Sequence, residues 1–266
     1  MVSRQSMIFM GISAGICFLI PLFTIIYFRR KEKISLTAVA VGVLVFMIFQ
    51  MSSRIPLINY LNTNPLFVDL IKSNRIAYVS FLAITAGVFE EVGKYIGFKY
   101  ALKNKLQWKN GIALGIGHGG IEAILLVGTA MVNNILFSLV INLGSYDLVL
   151  KKMPEAQALT LKSTLIDTPS YMFLLGGIER LFVIVFQIAL SIIVLEGVIK
   201  KNNKYLINAI LIHTLVDYIA AFNPSIFITE GIMFIVAIIS LKFLYSSKEK
   251  FKNIDSTIDN ECKNFE

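Results

Sequence analysis

The chain is predicted to be an all-α, polytopic transmembrane helix bundle of about seven spans. Three observations predict it. The residues are 56% hydrophobic and 16% charged, with a mean hydropathy of +0.72. Several apolar runs exceed the roughly 18–20 residues that cross about 30 Å of hydrocarbon. Basic residues gather between those runs rather than inside them. A soluble chain of 266 residues would hold one or two domains; this composition leaves little soluble mass.

The first span covers about residues 7–28, with one Arg before it and RRKEK after it. It is too long for a signal-peptide core and lacks a small-residue cleavage site, so it stays as a helix. The other spans cover roughly 35–53, 76–100, 111–136, 171–198, 205–222 and 226–245. The long connections, 54–75 and 143–170, each have room for a short interfacial helix. Residues 1–245 read as one membrane domain. Residues 246–266, rich in Lys, Asn and Asp, read as a disordered polar tail. There is no internal repeat.

The net charge of +8 would suggest nucleic acid as the partner of a soluble protein. Here the basic residues sit where they set topology and meet anionic lipid, so the bilayer is the partner expected and nucleic acid is not. The segments after spans one, three, five and seven carry dense Lys and Arg, from Arg29, Arg30, Lys31 and Lys33 to Lys248, Lys250 and Lys252. The other side carries Arg4, Arg54, Lys72, Arg75, Lys151, Lys152 and Lys162 over longer loops. The positive-inside rule then places the N-terminus outside and the C-terminus in the cytoplasm of a plasma membrane. Cys17 and Cys262 lie far apart and form no CxxC, so neither a disulfide nor a thiolate metal site is expected.

Charged groups at bilayer depth are costly and point to function. Three clusters stand inside apolar runs: Glu90, Glu91 and Lys94; His118 and Glu122; His213 and Asp217. The rise of about 1.5 Å per residue puts all three some 10–14 Å below the cytoplasmic boundary. Each His has an acid four residues on, on the same helix face. Glycines crowd the fourth span at Gly111, Gly115, Gly117, Gly119 and Gly120, where small residues let helices approach and leave room beside His118. Two His and a carboxylate are a common Zn²⁺ ligand set with an open position for water, and a further carboxylate can take the proton. No HExxH is present, so three helices would have to assemble the site.

Each residue also has a plainer reading. His118 and His213 could be packing histidines bonded across the bundle. One of Glu90 and Glu91 is expected to neutralise Lys94 and the other to face the site, with Glu91 preferred as base. Glu122 reads as a ligand with His118 and His213, or as a partner behind them. Asp217 reads as the group that orients His213 or, if protonated, stabilises an oxyanion. Glu179 and Arg180, in LLGGIERLF, lie about 12 Å from the outer boundary, where an ion pair holding spans four and five together is favoured. They stay as candidate members of the site, as does Lys94. Glu196 and Glu230 near span ends read as solvated carboxylates.

FEEVGK, GIGHGGIEA and IHTLVDY resemble the three motifs of the YhfC-type intramembrane metalloproteases, relatives of the CAAX-protease and bacteriocin-processing membrane peptidases. The resemblance covers most of spans three to six, and GxGHGxxE is its most specific piece. It implies peptide-bond hydrolysis within the membrane, with the glutamate pair at Glu90 and Glu91, the middle histidine at His118 and the last couple at His213 and Asp217. Two departures from the CAAX-type pattern, Lys94 in place of a more distant Arg and Leu114 in place of Phe, favour the YhfC-type branch. The expectation is a peptidase whose catalytic core comes from spans three to six and whose substrate is a membrane protein or peptide. Its two histidines bind Zn²⁺ or another divalent metal, or polarise the carbonyl without one. The alternatives are a proton- or ion-coupled transporter, disfavoured by the absence of repeats and the single depth of the clusters, and a non-catalytic scaffold or immunity protein.

Overall fold

A computed structural model describes residues 1–146, 154–223 and 225–263, of which 253–263 by backbone alone. The described residues form helices and no strand, as they must where lipid offers the backbone no hydrogen-bond partner. Seven helices are long and apolar enough to span: α1 (Arg4–Glu32), α2 (Leu36–Leu61), α3 (Arg75–Ala101), α4 (Trp108–Asn142), α5 (Ser170–Ile199), α6 (Lys204–Phe222) and α7, spanning over Ile226–Lys252. The protein is therefore a multi-pass all-α membrane protein. Asn74 caps α3 by accepting from the Ala77 N–H at 3.2 Å. Each long connection holds a helix, at Pro65–Phe67 and Glu155–Asp167. Three spans contain π-helical stretches, at Phe46–Arg54, Gly97–Ala101 and Ala123–Gly128. Lys151 and Lys152 lie outside the described residues.

Packing divides the chain into two compact units, Met1–Phe23 with Glu122–Leu181 and Thr24–Ile121 with Phe182–Glu266. In the first unit, Met10, Ile141, Ala158, Leu165 and Phe173 make the core. Asn142 ties down the chain's start: its Oδ1 accepts from the Val2 N–H at 2.8 Å and its Nδ2 donates to the Val2 carbonyl at 3.0 Å. Tyr146 donates to the Ala158 carbonyl at 2.6 Å, fixing the connector helix.

In the second unit, α3 and α6 run antiparallel. Arg75 Nη2 donates to the Phe222 carbonyl at 3.1 Å at one end, and Gly87 faces Thr214 and Ile210 further along. The start of α4 packs on both α2 and α5. A Cβ on Gly117 would strike the Val39 carbonyl, one on Gly42 the Leu114 carbonyl, and one on Gly115 the backbone of Ile188. The space expected beside His118 is thus filled by neighbouring backbones; the glycines serve close approach.

The helix of α7 continues to Lys263, into the segment expected to be a disordered tail. Tertiary contacts explain the extension. Ser247 and Phe251 are buried, Trp108 Nε1 donates to Ser247 Oγ at 2.9 Å, and Lys248 and Lys250 pair with Glu32 and Glu196 at 2.6 Å. Glu196 is consequently buried rather than solvated, held also by Lys200 at 2.6 Å. Glu230 is buried as well.

Candidate active site

The second unit brings five of its sequence-predicted residues onto adjoining helices. Glu90 and Glu91 are consecutive on α3, so they leave the helix about 100° apart and serve different neighbours. Glu90 Oε2 lies 3.0 Å from His118 Nε2 on α4 and 3.9 Å from His213 Nε2 on α6. Glu91 Oε1 lies 2.8 Å from His213 Nδ1 and 2.7 Å from Lys94 Nζ. All five groups are buried, Glu91, Lys94 and His118 completely. The i, i+3 spacing lets Lys94 reach Glu91. Aromatic rings hold both imidazoles edge-on, Phe46 against His118 and Phe186 against His213, with centroids 5.4 Å and 5.8 Å apart.

Gln187 on α5 completes the arrangement and was not foreseen. Its Nε2 donates to Glu90 Oε2 at 3.0 Å, while its Oε1 accepts from Lys94 Nζ. The amide therefore links the ammonium to the second carboxylate. Its signal in the sequence was a lone amide in FVIVFQIALSII. Arg54 was also missed, having been read as a loop residue. It lies inside α2 and is buried, with Nη2 donating to the Leu82 carbonyl at 2.7 Å, Nε to Thr85 Oγ1 at 3.1 Å and Nη1 to Gln50 Oε1 at 3.2 Å.

Asp217 stands one turn beyond His213. Its Oδ2 is 3.6 Å from His213 Nε2, and its side chain is 39% exposed, the open edge of an otherwise buried group. Glu122, Glu179 and Arg180 belong to the first unit. Arg180 Nη1 donates to Glu122 Oε1 at 3.1 Å and its Nη2 to Glu179 Oε1. One guanidinium thus joins spans four and five through Glu122 while also bonding Glu179 on its own helix.

The second unit's donors suit a divalent cation. His213 Nδ1 is bonded to Glu91, and its Nε2 faces Glu90 and Asp217; metal-bound histidines are commonly held through their other ring nitrogen in this way. Both Nε2 atoms approach one carboxylate oxygen. Neighbouring ligands of a tetrahedral zinc stand about 3.3 Å apart, close to the 3.6 Å between His213 Nε2 and Asp217 Oδ2. His118 Nδ1 and Glu91 Oε2 are buried with no hydrogen-bond partner among the described residues. With neutral histidines, the carboxylates of Glu90, Glu91 and Asp217 exceed the cations of Lys94 and Arg54 by one charge, which a bound cation would offset.

The profile of the YhfC intramembrane metalloprotease family matches residues 16–240. This chain belongs to that family. It is also 32% identical over 259 residues to a Bacillus subtilis (strain 168) protein described as "Uncharacterized membrane protein YhfC", a match covering 95% of this chain and 100% of the relative. No solved structure matches the chain. The family match contains every residue of the cluster in the second unit, from Arg54 to Asp217. The family's name carries a reaction class, metal-dependent peptide hydrolysis.

Proposed function

We propose that this membrane protein is a peptidase that hydrolyses a peptide bond of a membrane-embedded or membrane-proximal protein or peptide. One observation carries the reading: two histidines and Gln187 converge on the buried Glu90 carboxylate. Sequence alone prefers Glu91 as base. Glu91 is ion-paired with Lys94 and bonded to His213 Nδ1, whereas the Glu90 carboxylate faces the Nε2 atoms of both histidines, so Glu90 is the base proposed here, with Glu91 holding His213.

Glu90 takes a proton from water as the water oxygen bonds to the scissile carbonyl carbon. The carbon–nitrogen bond then breaks, and Glu90 returns its proton to the leaving amine. The products are a carboxylic acid and a free amine, which exchange the remaining proton to leave as carboxylate and ammonium. Gln187 holds the Glu90 carboxylate in place throughout. His118, His213 and Asp217 are the residues that would hold a metal such as Zn²⁺, which when bound polarises a carbonyl and acidifies water. Glu122, which pairs with Arg180, stays a candidate ligand beside them. The distribution of Lys and Arg supports an N-terminus outside and a cytoplasmic C-terminus.

The test compares new N-termini in membranes of cells expressing the wild type, Glu90→Gln or His118→Ala. Peptides ending at newly made amines are expected with the wild type and absent with both variants. An identical set from all three would remove the hydrolytic reading. Elemental analysis of the purified protein adds a separate readout: a divalent metal bound stoichiometrically by the wild type is expected to be lost in His118→Ala and His213→Ala.

A further inference from the structure

Arg54 is a buried charge in a membrane span that the proposed reaction has not yet used. Its three hydrogen bonds go to Gln50, Thr85 and the Leu82 carbonyl, all neutral. They occupy three of the guanidinium's five donors. Among the described residues the other two, one on each terminal nitrogen, make no hydrogen bond. Neutral partners hold the guanidinium in position, and its charge is left to the carboxylates of the site.

Its height in the bundle is fixed by its partners on α3. Arg75 of α3 meets Phe222 of α6, and Gly87 meets Thr214. Between these two crossings Asp217 falls near the level of Leu82, whose carbonyl binds Arg54. Thr85, the other α3 contact, precedes Glu90 by about 7.5 Å of helix rise. Side chains lean toward the N-terminus of their helix, so the Glu90 carboxylate projects back toward that level. The charge of Arg54 interacts with Glu90 and with Asp217. Lys94, by contrast, is fully buried against Glu91 and Gln187.

Peptide hydrolysis places negative charge on the carbonyl oxygen, and preorganised donors aimed at that position supply much of the catalysis. We propose that Arg54 is the oxyanion-binding residue of this site, using the two N–H groups its structural partners leave over. The assignment rests on the hydrolytic reading above. It makes Arg54 a catalytic residue contributed by α2, outside the three sequence motifs.

The probe is a phosphinic pseudopeptide, Ac-Ala-Leu-ψ[PO₂CH₂]-Leu-Ala-NH₂, whose tetrahedral anion mimics that charge, compared with the amide of the same sequence. Binding is measured by thermophoresis in detergent micelles, with unfolding midpoints in parallel. The wild type is expected to prefer the phosphinate. Arg54→Gln and Arg54→Met are expected to reduce the preference on the order of 100-fold, Arg54→Lys to retain part of it, and Glu90→Gln to keep it while abolishing hydrolysis. Arg54→Lys, which keeps the charge, is expected to hold the wild-type unfolding midpoint. An unchanged preference with a lowered midpoint would mark a structural residue and overturn the assignment alone. A wild type that does not distinguish phosphinate from amide would overturn the hydrolytic reading together with it.

Discussion

Replacing Lys94 with Met tests the electrostatic base of the site most directly. The ammonium lies 2.7 Å from Glu91 Oε1, with both side chains wholly buried. At an effective dielectric near 20, two charges at that separation attract by about 6 kcal/mol. Part of that offsets desolvation, and breaking buried pairs of this kind costs about 3–5 kcal/mol because the surviving charge stays buried. Lys94→Met is therefore expected to lose about 3–5 kcal/mol. The double variant Lys94→Met/Glu91→Gln leaves no uncompensated charge, and the amide oxygen it introduces can still accept from His213 Nδ1. It is expected to recover most of the loss, with a coupling of about 3 kcal/mol. Trp108 is the chain's single tryptophan and bonds Ser247, so SDS-induced unfolding in mixed micelles can be followed by its fluorescence. Strictly additive losses in the cycle would refute the reasoning, since they would mean that the two charges do not compensate each other.

Three further outcomes are expected. Gly117→Ala drives a Cβ into the Val39 carbonyl, so it should cost at least about 1–3 kcal/mol as an overpacked contact, whereas Gly11→Ala, with open space at its Cβ, should be neutral in the same unfolding assay. Arg180→Met leaves Glu122 and Glu179 without their shared guanidinium, and a loss of about 3–5 kcal/mol is expected; restoration by Glu122→Gln/Glu179→Gln in that background would identify carboxylate repulsion as the cause. Burial raises the Tyr146 phenol above its ordinary value, so the folded state favours the protonated form. Its contribution is intact below the unfolded pKa, about 10, and is lost as pH rises through the folded one. Wild-type stability should fall across that alkaline window, and the fall should shrink in Tyr146→Phe.

Much of the fold could be read from apolar run length alone, because lipid gives an exposed backbone no alternative to helix. The seven spans appear where the runs stand, with ends that shift where side chains rather than hydropathy decide them. The span read as ending at residue 53 continues to Leu61 because Arg54 finds polar partners inside the bundle. The last helix outruns its apolar stretch because Trp108, Glu32 and Glu196 give its polar residues something to bind. The site motifs were legible as charges at a common depth. Which acid serves which base was not: the spacings of Glu90 and Glu91 to Lys94 are both helical-neighbour spacings, and only the placement of α5 and α6 separates them. Gln187 escaped notice because an uncharged amide barely interrupts an apolar run, although in low dielectric its two bonds tie Lys94 to Glu90.

The π-helical stretch Phe46–Arg54 has a consequence for how this chain tolerates change in length. A π-helical stretch carries extra residues per turn relative to an α-helix, and this one ends on the arginine that reaches α3. Deleting one residue within it would rotate everything beyond by about 100° and retract it by about 1.5 Å. Arg54 would then leave Leu82 and Thr85 and face another side of the helix. A one-residue deletion here should thus be worse tolerated than most single substitutions in α2, and a compensating one-residue insertion before Arg54 should repair it. The frame of α2, as much as its composition, is what sets a cation against Leu82 and Thr85 of α3.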